Sequence, residues 1–177
     1  MRTVSNYAKR ELEKKKKLAL NFNKRQKIIP VAKWGQNFTH VLVYVKFAHR
    51  FGSPGSNDNW GTQVKFEDHR LHVNTLGLHG DMPVEFELDI PLFARIEPEQ
   101  SHYSSESAGS IVVKMRKGED NKIWRDLVDK EYNKDKLTLK IWWELADVYE
   151  EPMKKYNRMI DAEDDEKDRV SFFIEFF

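Results

Sequence analysis

Apolar and polar residues alternate with a period of two through the middle of the chain, and that pattern predicts strands. Val41, Val43, Val45 and Phe47 alternate with Leu42, Tyr44, Lys46 and Ala48, so one set can line a core while the other faces outward. Val84, Phe86, Leu88 and Ile90 alternate in the same way with Glu85, Glu87 and Asp89. A strand gathers those acids on one solvent-facing side, which excludes a helix there. Ile111, Val113 and Met115 alternate with Ser110, Val112, Lys114 and Arg116, and Leu137, Leu139 and Ile141 with Thr138, Lys140 and Trp142. Shorter strands are predicted around Thr62–Glu67 and His69–Gly77, after a loop dense in turn formers at Gly52–Asn59. Ile96 and Pro98 read as a crossing segment, and Ser101–Ser107 as a polar connection. Trp142 and Trp143 adjoin on the last strand, so they should point to opposite faces.

Both ends read differently. Val4, Tyr7, Ala8, Leu12, Leu18, Ala19 and Phe22 recur at roughly helical spacing, which predicts a helix over residues 3–27 that ends before Pro30. From Asp147 the chain turns helical again and then enters the acidic run Asp161, Glu163, Asp164, Asp165 and Glu166. About seven short strands with frequent turns and no long helix between them predict an all-β core, a seven-stranded antiparallel sandwich. The expected organisation is a basic helical arm over residues 1–33, a sandwich over 34–145, and a helical acidic tail with an apolar end over 146–177.

Charge sharpens this division. The formal net charge of +1 over 177 residues conceals opposite ends. Residues 1–33 hold 11 Lys or Arg against 2 acids, +9; residues 34–143 hold 14 against 16, −2; residues 144–177 hold 5 against 11, −6. Such blocks make solvated arms. Lys14, Lys15, Lys16 and Lys17 are the candidate contacts of the basic arm with an acidic partner or an anionic membrane surface. The N-terminus lacks the apolar region of a secretory signal, and no run approaches membrane-spanning length. A cytoplasmic location is the expectation, with a membrane-associated or endoplasmic-reticulum location as the alternative.

Catalytic chemistry finds little support. With 0 Cys there is no disulfide, thiolate metal site or cysteine nucleophile. The His residues show no zinc-type spacing, and His69 and His72 in a strand would point to opposite faces. Glu85, Glu87 and Asp89 lack the burial that would drive their pKa values apart, so they read as the outside of a sheet. No Gly-rich phosphate loop or nucleophile elbow occurs. Neither a metal nor another cofactor is expected, and no nucleic-acid partner. Val170–Phe177, VSFFIEFF, either docks on the sandwich or leads toward a partner or bilayer, with docking the default.

The stretch from Ser110 to Glu131 carries the functional expectation. After the strand, Gly118 ends regular pairing, and Lys122–Glu131 reads as a short helix or irregular arm presenting Trp124 and Leu127. A Trp at the end of a sandwich can simply plug the core. Lys114, Arg116, Lys117, Lys122 and Arg125 cluster around it in sequence, and that favours a partner-facing role, because aromatic and Arg anchors dominate binding hot spots. The candidate partner-binding residues are therefore Lys114, Arg116, Lys117, Lys122, Trp124, Arg125 and Leu127.

At these residues the chain resembles the CS domain family, which includes the small acidic co-chaperone of heat shock protein 90 and the Sgt-type and nuclear-movement-type adaptors. The likeness begins at Trp34-Gly35-Gln36, continues through Phe86–Pro98, FELDIPLFARIEP, and is sharpest at Met115–Glu131, MRKGEDNKIWRDLVDKE. It covers roughly residues 34–145. The resemblance implies a seven-stranded sandwich and a non-enzymatic module that binds the nucleotide-closed form of a heat shock protein 90-type chaperone, slowing its ATP turnover and prolonging client contact. It places Lys117, Trp124, Arg125 and Leu127 at that contact. The co-chaperone has Pro directly after its Trp, where this chain has Arg125. A synthase activity credited to some relatives and assigned partly to Cys is not carried over to a chain without one. The alternative is a CS-type scaffold or membrane-associated adaptor, with residues 1–27 supplying the attachment.

Overall fold

Strand pairing begins at Gln26 and ends at Ile141, with helical segments before and after it. The computed structural model describes residues 6–13, 16, 25–56, 59–79, 82–107, 109–120, 122–149, 151–155 and 158–159. Its strands are β1 (Gln26–Ile28), β2 (Val31–Gln36), β3 (His40–Lys46), β4 (Asn59–Glu67), β5 (Arg70–His79), β6 (Met82–Pro91), β7 (Ile96–Ser107), β8 (Ser110–Lys117) and β9 (Leu139–Ile141). Residues 6–13 are helical (α1), as are residues 143–149 (α2) and 151–155. The strands make a four-stranded sheet, β1-β6-β5-β4, and a five-stranded sheet, β7-β8-β3-β2-β9. The fold is an all-β sandwich, with nine strands among the described residues where about seven were expected.

The alternation read along the chain is the alternation the sandwich buries. Val41, Val43 and Val45 of β3, Ile111, Val113 and Met115 of β8, and Phe86, Leu88 and Ile90 of β6 form one core with Leu71 and Val73 of β5. Phe47 and Phe86 meet across it with ring centroids 5.7 Å apart. Burial of each such side chain contributes about 2 kcal/mol, which is what holds the two layers face to face.

The two extra strands and a third element differ from expectation for identifiable reasons. Residues 26–28, expected in the helical arm, form β1 and pair in parallel with β6. The acidic face of β6 supplies the attraction: Arg25 reaches Glu85 at 2.7 Å and Lys27 reaches Glu87 at 2.8 Å. Residues 31–33, also assigned to the arm, belong to β2 and pair with β3. The sandwich thus begins before residue 34. Pro98 and Ser101–Ser107, expected as crossing segment and connection, lie in β7, an edge strand held by antiparallel pairing to β8. Its exposed faces need no apolar residues, so no period-two signal marked it.

At the other end, β9 stops at Ile141 and pairs in parallel with β2. The Trp142 amide donates to the Trp34 carbonyl at 2.7 Å, and helix α2 begins at residue 143. Trp143 therefore does not share a strand with Trp142, and it is 62% exposed. Helix begins four residues ahead of the expected Asp147. Helix α2 lies on the outer face of the five-stranded sheet, so close that a Cβ on Gly35 would sit 2.6 Å from Leu145 Cδ2. Only glycine admits that approach. The apolar Val170–Phe177 segment and the acidic run from Asp161 lie outside the described residues, as do Lys14, Lys15 and Lys17.

Candidate functional site

The open end of the sandwich beside β2 is closed by the irregular segment after β8. Alternation along β2 puts Ala32 and Trp34 toward the core, and so turns Gln36 inward at the strand's last position. There its side-chain amide behaves as a short length of strand. Gln36 Nε2 donates to the Trp124 carbonyl at 2.7 Å, and the Trp124 amide donates to Gln36 Oε1 at 2.9 Å. Lys117, at the end of β8, donates from Nζ to the same Gln36 oxygen at 2.9 Å and to the Lys122 carbonyl at 2.6 Å. One glutamine thereby joins Trp34-Gly35-Gln36 to the Lys117–Trp124 stretch.

The segment is pinned on its other side by backbone. Phe93 N–H donates to the Leu127 carbonyl and Asp129 N–H to the Pro91 carbonyl, both at 2.9 Å. Leu92 and Val128 form an isolated antiparallel bridge. Trp124 packs against Phe93 with ring centroids 6.1 Å apart.

This geometry corrects the expectation for three of the seven predicted contact residues. Trp124 is 2% exposed, Leu127 0% and Lys117 2%, so none of them stands out from the surface as a partner-facing anchor. An irregular segment has no hydrophobic core of its own, and the gap between two sheets offers one. Lys117 remains inside because its ammonium finds two oxygens there. Burial still disfavours its charge and lowers its pKa from 10.5 to about 8, with Asp120 acting in the opposite sense. Buried charge of this kind holds geometry more than it adds stability.

The other four predicted residues are accessible but dispersed. Lys114 is on the outer face of β8, across from Leu42 and His102. Arg116 pairs with Asp120 at 2.6 Å and also donates to the Thr39 carbonyl at 3.2 Å. Lys122 pairs with Glu119 at 2.8 Å. Arg125 is exposed directly beside the buried Trp124. Lys16 of the basic arm is exposed.

Between β2, β9, the pinned segment and the C-terminal helices lies a groove of about 280 Å³. Trp34, Ile123, Trp124, Ile141 and Ala146 give it apolar walls, and Arg125 and Lys154 supply its cations. Ile141 is itself 43% exposed. Ala146 and Met153 are buried, which fixes the helical wall. Sequence reasoning did not find this groove. Trp34 and Gln36 were visible as a motif, but Ile141, Ala146 and Lys154 carried no mark of a shared site. Among the described residues no group of three or more His, Asp or Glu side chains is placed to hold a metal ion.

No protein-family model matches the chain, and no curated protein matches it. Solved structures to which the chain is similar include heat shock protein 16.0 from Schizosaccharomyces pombe, at 15% identity and a TM-score of 0.41, over 58% of this chain and 99% of that one. The CS domain of human KIAA1068 protein matches at 18% identity and a TM-score of 0.37, over 58% of this chain and 78% of that one. A small heat-shock protein from Xylella fastidiosa matches at 11% identity and a TM-score of 0.39, over 58% and 97%.

Proposed function

We propose that the chain is a non-enzymatic protein-binding module of the co-chaperone class, acting on the closed, ATP-bound form of a heat shock protein 90-type chaperone. One observation carries the reading. Two of the three sequence stretches that resemble the CS domain family, Trp34-Gly35-Gln36 and Met115–Glu131, are hydrogen-bonded to each other and line one apolar groove with Arg125 beside it. In this reading Trp124 stands in the wall, Lys117 and Leu127 hold the segment from inside, and Arg125 and Lys122 make the contact. Binding one conformation better than another is sufficient for the effect, since a ligand shifts an equilibrium by its differential affinity.

The test is calorimetric titration of the chain into the chaperone with and without a non-hydrolysable ATP analogue. Binding should require the analogue, and Arg125→Glu should weaken it about tenfold or more while leaving thermal unfolding unchanged. Nucleotide-independent binding, or full affinity in Arg125→Glu, would overturn the assignment. Trp124→Ala is a poor probe of contact, because removing a buried indole unfolds or loosens the wall.

A second reading is favoured by helix α1, in which Tyr7 is 70% and Leu12 54% exposed. A helix with uncovered apolar side chains, followed in sequence by Lys14, Lys15, Lys16 and Lys17, suits a scaffold or adaptor attached peripherally to an anionic membrane. Sedimentation with phosphatidylserine vesicles at low salt should then be lost when Lys14, Lys15, Lys16 and Lys17 are replaced by Ala. No sedimentation of the intact chain would exclude the adaptor reading.

A further inference from the structure

The two outer faces of the sandwich carry their charges differently. On the four-stranded sheet each of three carboxylates meets a cation: Glu85 with Arg25 at 2.7 Å, Glu87 with Lys27 at 2.8 Å and Asp89 with Arg70 at 3.2 Å. That face is neutralised from within. On the five-stranded sheet, strand register places Lys33 beside Tyr44 and Lys140, and Lys114 beside Leu42 and His102. Their neighbours Ala32, Val43 and Val113 are in the core, so these lysines share the outer face with Lys46.

None of Lys33, Lys46, Lys114 and Lys140 has a carboxylate partner among the described residues. Lys46 donates to the Phe51 carbonyl at 2.9 Å, and the Lys140 ammonium sits 4.8 Å from the centre of the Phe51 ring. The pKa of His40, beside this face, is lowered by its own burial first, and then by Lys114, Arg116 and His102, with Asp120 acting in the opposite sense.

We propose that the outer face of the five-stranded sheet is a docking surface for an acidic, extended polypeptide segment. Charge complementarity selects an acidic ligand, and the geometry selects a peptide among polyanions. Tyr44 and Trp142 pack on each other with centroids 5.9 Å apart, and Lys140 covers Phe51, so these rings are not the open stacking platforms that single-stranded nucleic acid uses. Duplex binding by phosphate contacts engages about six to ten of them, more than four lysines supply. Helix α2, lying over Gly35 on this face, obstructs a flat bilayer. An extended peptide suits the surface, because the four lysines stand on the four adjacent strands β8, β3, β2 and β9, about 4.8 Å from one strand to the next, within the span of one extended segment crossing them. The groove and Arg125 take no part, so the inference is independent of the chaperone reading.

Fluorescence anisotropy on the intact chain tests it, in a background with Lys14, Lys15, Lys16 and Lys17 changed to Ala so that the densest lysine run of the basic arm is removed. The probe is a labelled dodecapeptide of alternating Glu and Ala, and the control is its Gln counterpart. The Glu peptide should bind and the Gln peptide should not. The combined Lys33→Glu and Lys140→Glu change should weaken binding at least about tenfold, whereas Lys65→Glu on the other sheet should not. Four results overturn the proposal: no binding in the arm-substituted background, equal binding of both peptides, insensitivity to the paired change, or tighter face-dependent binding of a single-stranded oligonucleotide or of phosphatidylserine vesicles.

Discussion

Replacing Gln36 by Ala should destabilise the whole sandwich end, and the size of the loss can be worked from the contacts. The side chain donates one hydrogen bond to the Trp124 carbonyl, accepts one from the Trp124 amide and accepts one from the Lys117 ammonium. A net neutral bond contributes about 1 kcal/mol, and a buried group left without a partner costs about 1–3 kcal/mol. The Lys117 ammonium keeps the Lys122 carbonyl, so its loss is partial. The expected cost is therefore about 3–4 kcal/mol, a large share of the roughly 5–15 kcal/mol that stabilises a domain. Urea unfolding measures it. With a slope of about 2 kcal/mol per molar, the midpoint should fall by about 1.5–2 M with the slope unchanged. Hydrogen exchange should show the Trp124 amide losing protection by more than the global change accounts for. A loss below about 1 kcal/mol would mean that water replaces the glutamine without cost, and that the clamp does not organise this end of the fold.

Lys117→Met should stabilise the protein at neutral pH and flatten its alkaline profile. Below about 8 the lysine is charged in both states and its burial cost is fully present; between about 8 and 10.5 the native state loses its proton first. The unfolded chain then binds more protons, so stability rises with pH through that window by up to about 3 kcal/mol, a rise that the Met variant should lack when both are unfolded at pH 7.5 and 10. Gly35→Ala should push α2 away from β2, at a cost of about 1–3 kcal/mol, and expose the segment around Leu145 to proteolysis; a neutral effect would mean that the helix shifts freely. Leu127→Ala should cost about 2–5 kcal/mol in chemical unfolding, because the side chain is fully buried, whereas a solvent-facing anchor would lose almost nothing.

Of the candidate site, the sequence showed its members but not their arrangement. Lys114, Arg116, Lys117, Lys122 and Arg125 lie close along the chain, and proximity in sequence suggested one basic patch. Strand geometry divides them. Successive residues of β8 point to opposite faces, so Lys114 and Arg116 go to the outer face while Lys117 turns inward to Gln36. Gln36 and Trp124 are 88 residues apart, and nothing local to either one names the other. β7 was missed because a strand exposed on its faces carries no apolar period, and β1 because its three residues are recruited by the acids of β6.

By itself the sequence determined the sandwich, the inward set of each central strand and the acidic outer face of β6, because a period of two in hydrophobicity is a local signal that a half-buried strand cannot avoid writing. Tertiary structure alone decided that Trp124 and Leu127 are filling rather than surface, that α2 lies on Gly35, and that a groove opens between them. Those outcomes depend on which distant backbone groups and cavities are left unsatisfied once the sheets have paired, and that is a property of the assembled layers, not of any window along the chain.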